Sequence, residues 1–174
     1  MGENVVELVG ISRLGGFEGS NPEIYASYPE FEDFFKNEDR TLFLEKTLPS
    51  ACKPDTFSID KIKDKYILSY IFALRAEMQG VRDDLASITV VVPEKQVNII
   101  EFEKLFRLII DSFKWEMEKL TPVILKTMIE RIYSGVNGNQ KIKLVDADVD
   151  IPGLIKNKKL KIKKESKSMV GKLF

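Results

Sequence analysis

Between residues 64 and 113 the hydrophobic pattern changes period four times. Two apolar runs of β type, 66–74 (YILSYIFAL) and 85–92 (LASITVVV), flank a polar connection carrying Arg75, Glu77, Gln79, Gly80, Arg82, Asp83 and Asp84. The second run is nearly all apolar, as expected for a strand covered by helices on at least one face. A proline–charge turn, Pro93-Glu94-Lys95-Gln96, follows. Beyond it Ile99, Phe102, Phe106, Ile109, Ile110, Phe113, Met117 and Leu120 recur at helical spacing. That spacing places one apolar stripe on a helix of about six turns.

The flanks are patterned more weakly. Residues 4–14 (NVVELVGISRL) read as a strand, broken by Gly15-Gly16. After the turn residues Gly19-Ser20-Asn21-Pro22, residues 23–27 (EIYAS) read as a short strand, hairpin-paired with the first. Pro29-Glu30 opens a helical pattern with Phe31, Phe34, Phe35 and Leu42, which polar residues 37–40 interrupt. Residues 56–59 (TFSI) form a further short strand, and 60–65 a charged turn. Thr121-Pro122 fits an N-cap followed by proline at the first helical position. The helix it starts runs through Ile132 and stops at 134–139 (SGVNGN). Residues 141–145 (KIKLV) suggest an additional edge strand. The elements add up to an α+β fold: one central antiparallel sheet of about five strands, helices packed on it, and a long amphipathic helix towards the C-terminus. The domain spans 1–138, and 146–174 form an acidic-then-basic extension.

At 174 residues the chain is long enough for one domain with a sizeable core. One cysteine, Cys52, excludes an intrachain disulfide framework and suits a reducing cytosol. The reading is cytoplasmic, with or without a peripheral attachment to a membrane. No apolar run is long enough for a membrane span, and the N-terminus MGENVVELVG lacks the basic start of a secretory signal.

Histidine is absent, which removes the imidazole base, the Ser-His-Asp and Cys-His arrangements, and histidine metal ligands. No catalytic residue, cofactor or metal is expected, and a non-enzymatic role is favoured. Asp83-Asp84 are adjacent on a strand entry and point apart, so they make a poor carboxylate pair. Asp146, Asp148 and Asp150 lack the glycine and the glutamate of a calcium loop. Lys53 beside Cys52 would lower its pKa, though an ordinary thiol is the simpler reading.

Charge is balanced overall and uneven along the chain. Residues 154–174 hold eight lysines against Glu165, a net +7; with 27 basic and 27 acidic residues in all, the remainder carries −7. Lys156, Lys158, Lys159, Lys161, Lys163 and Lys164 could meet an anionic membrane surface. Alternatively they form a solvated end or bind the acidic body. Nucleic acid is disfavoured, because no aromatic residues interleave the lysines. The 75–84 connection is either a partner-contact surface or a solvated hairpin loop. Trp115, off the main helical stripe, is either a partner-facing anchor or a cap on the core edge.

Strand, strand, helix, three strands and one or two helices is the element order of the longin domain, which the chain resembles over residues 4–134. The centre resembles longin domains of the folliculin group: Tyr70-Ile71-Phe72-Ala73-Leu74, a basic loop from Arg75 through Gly80 to Arg82, then the Ile/Val-rich strand 87–92. Roadblock and profilin-like folds also layer helices on an antiparallel sheet, with element orders that fit less well. The resemblance implies a platform for a small GTPase or another longin/roadblock-type domain in membrane trafficking or signalling, with Arg75, Glu77, Gln79, Arg82, Asp83 and Trp115 as candidate contacts. An exposed edge strand, or a helix face with Trp115, would favour a homo- or heterodimer. Some members of that group stimulate GTP hydrolysis with an arginine immediately before the loop glycine. Here that position is Gln79, so a GTPase-activating or exchange role would need Arg75 or Arg82 as a displaced finger. A peripheral membrane adaptor acting through the lysine-rich end is a further alternative.

Overall fold

The computed structural model describes residues 5–76, 80–93, 98–112, 115, 120–138, 142–143 and 148–149. The elements run β1 (Leu8–Leu14), β2 (Glu23–Tyr28), a 3-10 turn (Phe31–Asp33), α1 (Asp39–Thr47), β3 (Thr56–Ile62), β4 (Lys65–Leu74), β5 (Asp84–Pro93), α2 (Ile99–Asp111) and α3 (Pro122–Gly138). Two-residue strands β6 (Ile142–Lys143) and β7 (Asp148–Val149) follow. The fold is α+β: one open antiparallel sheet of order β2-β1-β5-β4-β3, with three helices.

Side-chain alternation splits the sheet into two buried faces. Leu68, Tyr70, Phe72 and Leu74 of β4 and Ala86, Ile88, Val90 and Val92 of β5 point to one side. They meet Phe102, Leu105, Phe106 and Ile109 of α2 and Leu125, Met128, Ile129, Ile132 and Val136 of α3. Each fully buried Val, Leu, Ile, Phe or Met among them contributes about 1.5–3 kcal/mol relative to leaving it exposed. On the other side Leu8, Ile67 and Val91 form a smaller core with Phe31, Phe35 and Phe43. β5 is therefore covered on both faces, which accounts for its unbroken apolar run.

Half of the second face is polar. Register aligns Gly10, Thr89, Ser69 and Ser58 across β1, β5, β4 and β3, with Ser12 opposite Ser87 one step along. Ser69 and Thr89 share a hydrogen bond of 3.0 Å. Ser58, Ser87 and the α1 residue Thr47 bury hydroxyls with no partner among the described residues.

Several expected boundaries shift. The pattern from Pro29 yields only the 3-10 turn, and the helix forms later, at Asp39–Thr47. The expected turn at 60–65 shrinks to Lys63-Asp64, because β3 continues to Ile62 and pairs with Lys65. The long helix ends at Asp111, where the Ser112 hydroxyl and backbone N–H both donate to Leu108 O. Phe113 and Met117 lie outside the described residues, while Leu120 joins the main core. Thr121 does cap α3, its Oγ1 accepting from Ile124 N at 3.2 Å. α3 then runs past the expected stop to Gly138. Gly135 and Val136 are buried there, and Asn137 brackets Val6, accepting from its N–H at 2.9 Å and donating to its carbonyl at 3.0 Å. β6 does not extend the main sheet; it pairs with β7 and buries Ile142 in the main core. No helix among the described residues is long and apolar enough to cross a membrane.

Candidate interaction surface

The 75–84 connection does not stand alone. Leaving β1, the chain turns at Gly15-Gly16 and lies against it. Gly16 N donates to Asp84 Oδ1 at 2.8 Å, and Arg82 Nε donates to Gly16 O at 2.9 Å. A Cβ on Gly16 would lie 2.5 Å from Asp83 O, so only glycine lets the two backbones approach this closely. Asp84, nearly buried, also takes Arg13 Nε on Oδ2 at 2.6 Å. Asp83 instead turns outward and accepts from Ala76 N at 2.9 Å. The two carboxylates thus serve separate structural bonds, which fits their opposite directions on the strand.

Arg75 and Arg82 are both exposed, with Gly80 in the left-handed region at φ +83° between them. Arg75 is anchored through its backbone, whose N–H donates to Trp115 O at 2.9 Å. Trp115 itself is only 5% exposed. Its ring packs on Phe72 with centroids 4.9 Å apart, and Nε1 donates to Ile110 O at 3.1 Å. Trp115 therefore caps the core edge, and its reading as a partner-facing anchor is corrected. Glu77, Gln79 and the lysines at 156, 158, 159, 161, 163 and 164 lie outside the described residues, as do Asp146 and Asp150.

The β1–β2 loop adds residues that the sequence pattern did not single out. Phe17 is 70% exposed, and Val81 on the 75–84 connection is also exposed. A Cβ on Gly15 would lie 2.5 Å from the Phe17 ring, so the ring lies across bare backbone. Beneath this loop opens a cavity of about 460 Å³, lined among others by Arg13, Phe17, Asn21, Glu23 and Asp84. A lone aromatic between Gly15-Gly16 and Gly19 was the signal available.

A second exposed feature is the β3 edge. β3 pairs with β4 in unbroken register, and its outer side carries no further strand among the described residues. Ile59 on it is 48% exposed. The neighbouring helix α2, joined to β3 through Phe57 and Phe106, also exposes Ile100 and Leu108. The opposite edge is managed differently. β2 is bulged against β1, bounded by Pro22 and Pro29, and its Ser27 carbonyl accepts from Lys126 Nζ at 3.2 Å.

A polar strap fixes α2 above β4. Tyr70 OH donates to Asp55 Oδ1 at 2.7 Å and accepts from Arg107 at 3.3 Å. Burial and the Asp55 carboxylate push the Tyr70 hydroxyl up to about 12, so it stays protonated and donating. Burial likewise pushes the Cys52 thiol up, opposite to the activation Lys53 would give, and the ordinary-thiol reading stands. The chain matches no protein-family model and no curated protein sequence.

Proposed function

We propose that the chain is a non-enzymatic interaction module of longin-like type, acting in small-GTPase-linked trafficking or signalling. It would bind a small GTPase or another longin/roadblock-type domain through the β3 edge and the outer face of α2. The observation that carries this reading is the seven-residue β3 edge, in regular register with β4 and carrying no further strand among the described residues, beside a helix with exposed Ile100 and Leu108. Such an edge is a ready template for pairing with another chain. The element order β-β-α-β-β-β-α-α supports the longin-like part of the reading. A catalytic-arginine role has less support, since Arg82 already donates to Gly16 O.

The test is retention on immobilised small GTPases in GDP and GTP-analogue states, at low and near-physiological salt, alongside a longin and a roadblock domain. Retention that survives salt and falls at least about tenfold with Ile59→Lys is the expected result, because the substitution puts a charge in place of the exposed apolar side chain of that edge. Retention lost with salt alone, or untouched by Ile59→Lys, would overturn it.

A further inference from the structure

We infer that the β3 edge is taken by a second copy of this chain, the two β3 strands pairing antiparallel about a two-fold axis at Ile59. The inference rests on the edge reading above and deepens it, naming the partner and the register.

Backbone direction selects the register. The connection between β3 and β4 is Lys63-Asp64, with Ile62 opposite Lys65. The pair that flanks a two-residue hairpin loop is hydrogen-bonded, and such pairs recur at every second residue. Thr56, Ser58, Asp60 and Ile62 therefore turn their backbone groups to β4. Phe57, Ile59 and Lys61 turn theirs to the outer side. This outward set is bounded at both ends. Asp55 sits in the left-handed region at φ +63°, and its N–H already donates to Ile71 O at 2.7 Å. Lys63 leaves the strand at φ +58°. An axis at Ile59 maps the outward set onto itself, so that Phe57, Ile59 and Lys61 exchange backbone hydrogen bonds with Lys61, Ile59 and Phe57 of the second copy. An axis at Ser58 or Phe57 instead sets outward residues against Asp55, and one at Asp60 or Lys61 sets them against Lys63. The Asp60 axis also faces two carboxylates directly, which is unfavourable.

Side chains match in the same register. On the α2 side Ile59, 48% exposed, meets its own copy, and both are covered. Phe57, packed on Phe106 with centroids 6.0 Å apart, meets the alkyl stem of Lys61. On the α1 side Ser58 stands opposite Asp60. The Ser58 hydroxyl has no partner among the described residues, and the Asp60 carboxylate is an acceptor, with Lys46 Nζ 3.6 Å away. No like charges stand directly opposite each other. A strand that complements itself in backbone and side chains fits a second copy, and an isologous pair of this kind closes on itself.

The experiment is sedimentation velocity of the full chain over a wide concentration range, at low and near-physiological salt, with disulfide mapping alongside. A monomer–dimer equilibrium that survives salt is expected. Ile59→Glu should weaken it at least about tenfold, since it removes the apolar pair and opposes two carboxylates. Opposed Ile59 Cα atoms would lie about 5.5 Å apart, within disulfide range. In a Cys52→Ser background, Ile59→Cys should therefore form a disulfide-linked dimer on mild oxidation. Lys61→Cys should not, because its two copies are offset by about 14 Å along the strands. Ile59 and Lys61 are exposed, so the variants keep the fold, which circular dichroism reports. A monomer at every concentration, a dimer indifferent to Ile59→Glu, or linkage through Lys61→Cys in place of Ile59→Cys overturns the inference. Its failure is separable from that of the edge reading. A monomeric chain that a GTPase, longin or roadblock domain still retains through Ile59 loses the dimer and keeps the edge. A chain that is monomeric and retained by none of them loses both.

Discussion

Gly16 has no room for a side chain. The atoms a methyl group would strike, Asp83 O at 2.5 Å and Arg82 O at 3.0 Å, are backbone and cannot rotate away. Gly16→Ala should therefore cost about 1–3 kcal/mol, as overpacking does. It should also part the two loops, read by urea denaturation and by lost exchange protection at the Gly16 amide. An unchanged midpoint would mean that the loops are not clamped. At this scale the sequence was a mixed guide. The split between Asp83 and Asp84 follows from strand alternation and was legible. The role of Asp84 was not, because Arg13 and Gly16 lie some seventy residues away and no local pattern links them. Trp115 was undecidable for a related reason: its partner, Phe72, belongs to another element.

Apolar contact holds α1 through few residues. Its sheet-facing positions are Asp39, Phe43 and Thr47, so one phenyl ring stands between two polar groups. Thr47 buries a hydroxyl with no partner among the described residues. Asp39 anchors the other end, accepting from Lys36 N at 3.0 Å and from Lys63 Nζ at 3.1 Å. Those two bonds hold its carboxyl below the usual range. The stabilisation is fully present above the unfolded pKa of about 3.9 and is lost as pH falls through the lower folded value. Amide exchange in α1 should accelerate over that acid window before exchange in β4 and β5 does, and Asp39→Asn should remove the pH dependence. Identical acid profiles for helix and sheet would refute it.

Strand positions were legible in the sequence because period-two alternation and turn residues are local signals. Helix ends were not. Phe113, Met117 and Leu120 continue the apolar spacing beyond Asp111, where a serine hydroxyl takes over the last carbonyl. SGVNG reads as a stop, yet tertiary packing of Gly135 and Val136 carries α3 through it.

For the molecule as a whole, the two sheet edges set what it can build. β3 carries no further strand among the described residues; β2 is bulged, and Lys126 crosses it to Ser27 O and Glu30 Oε1. A chain with one usable edge is monovalent in strand pairing. Two copies joined through β3 would bury both usable edges and leave only the protected ones outside, so growth would end at a pair. Removing the protection should change the arithmetic of assembly. Lys126→Glu would withdraw the cation from β2 and set a second carboxylate beside that of Glu30, two like charges that repel. At high concentration that variant should form species larger than a dimer by light scattering, while the native chain stops at two. The lysine on α3 would then act as a chain terminator, separating a protein that pairs from one that polymerises.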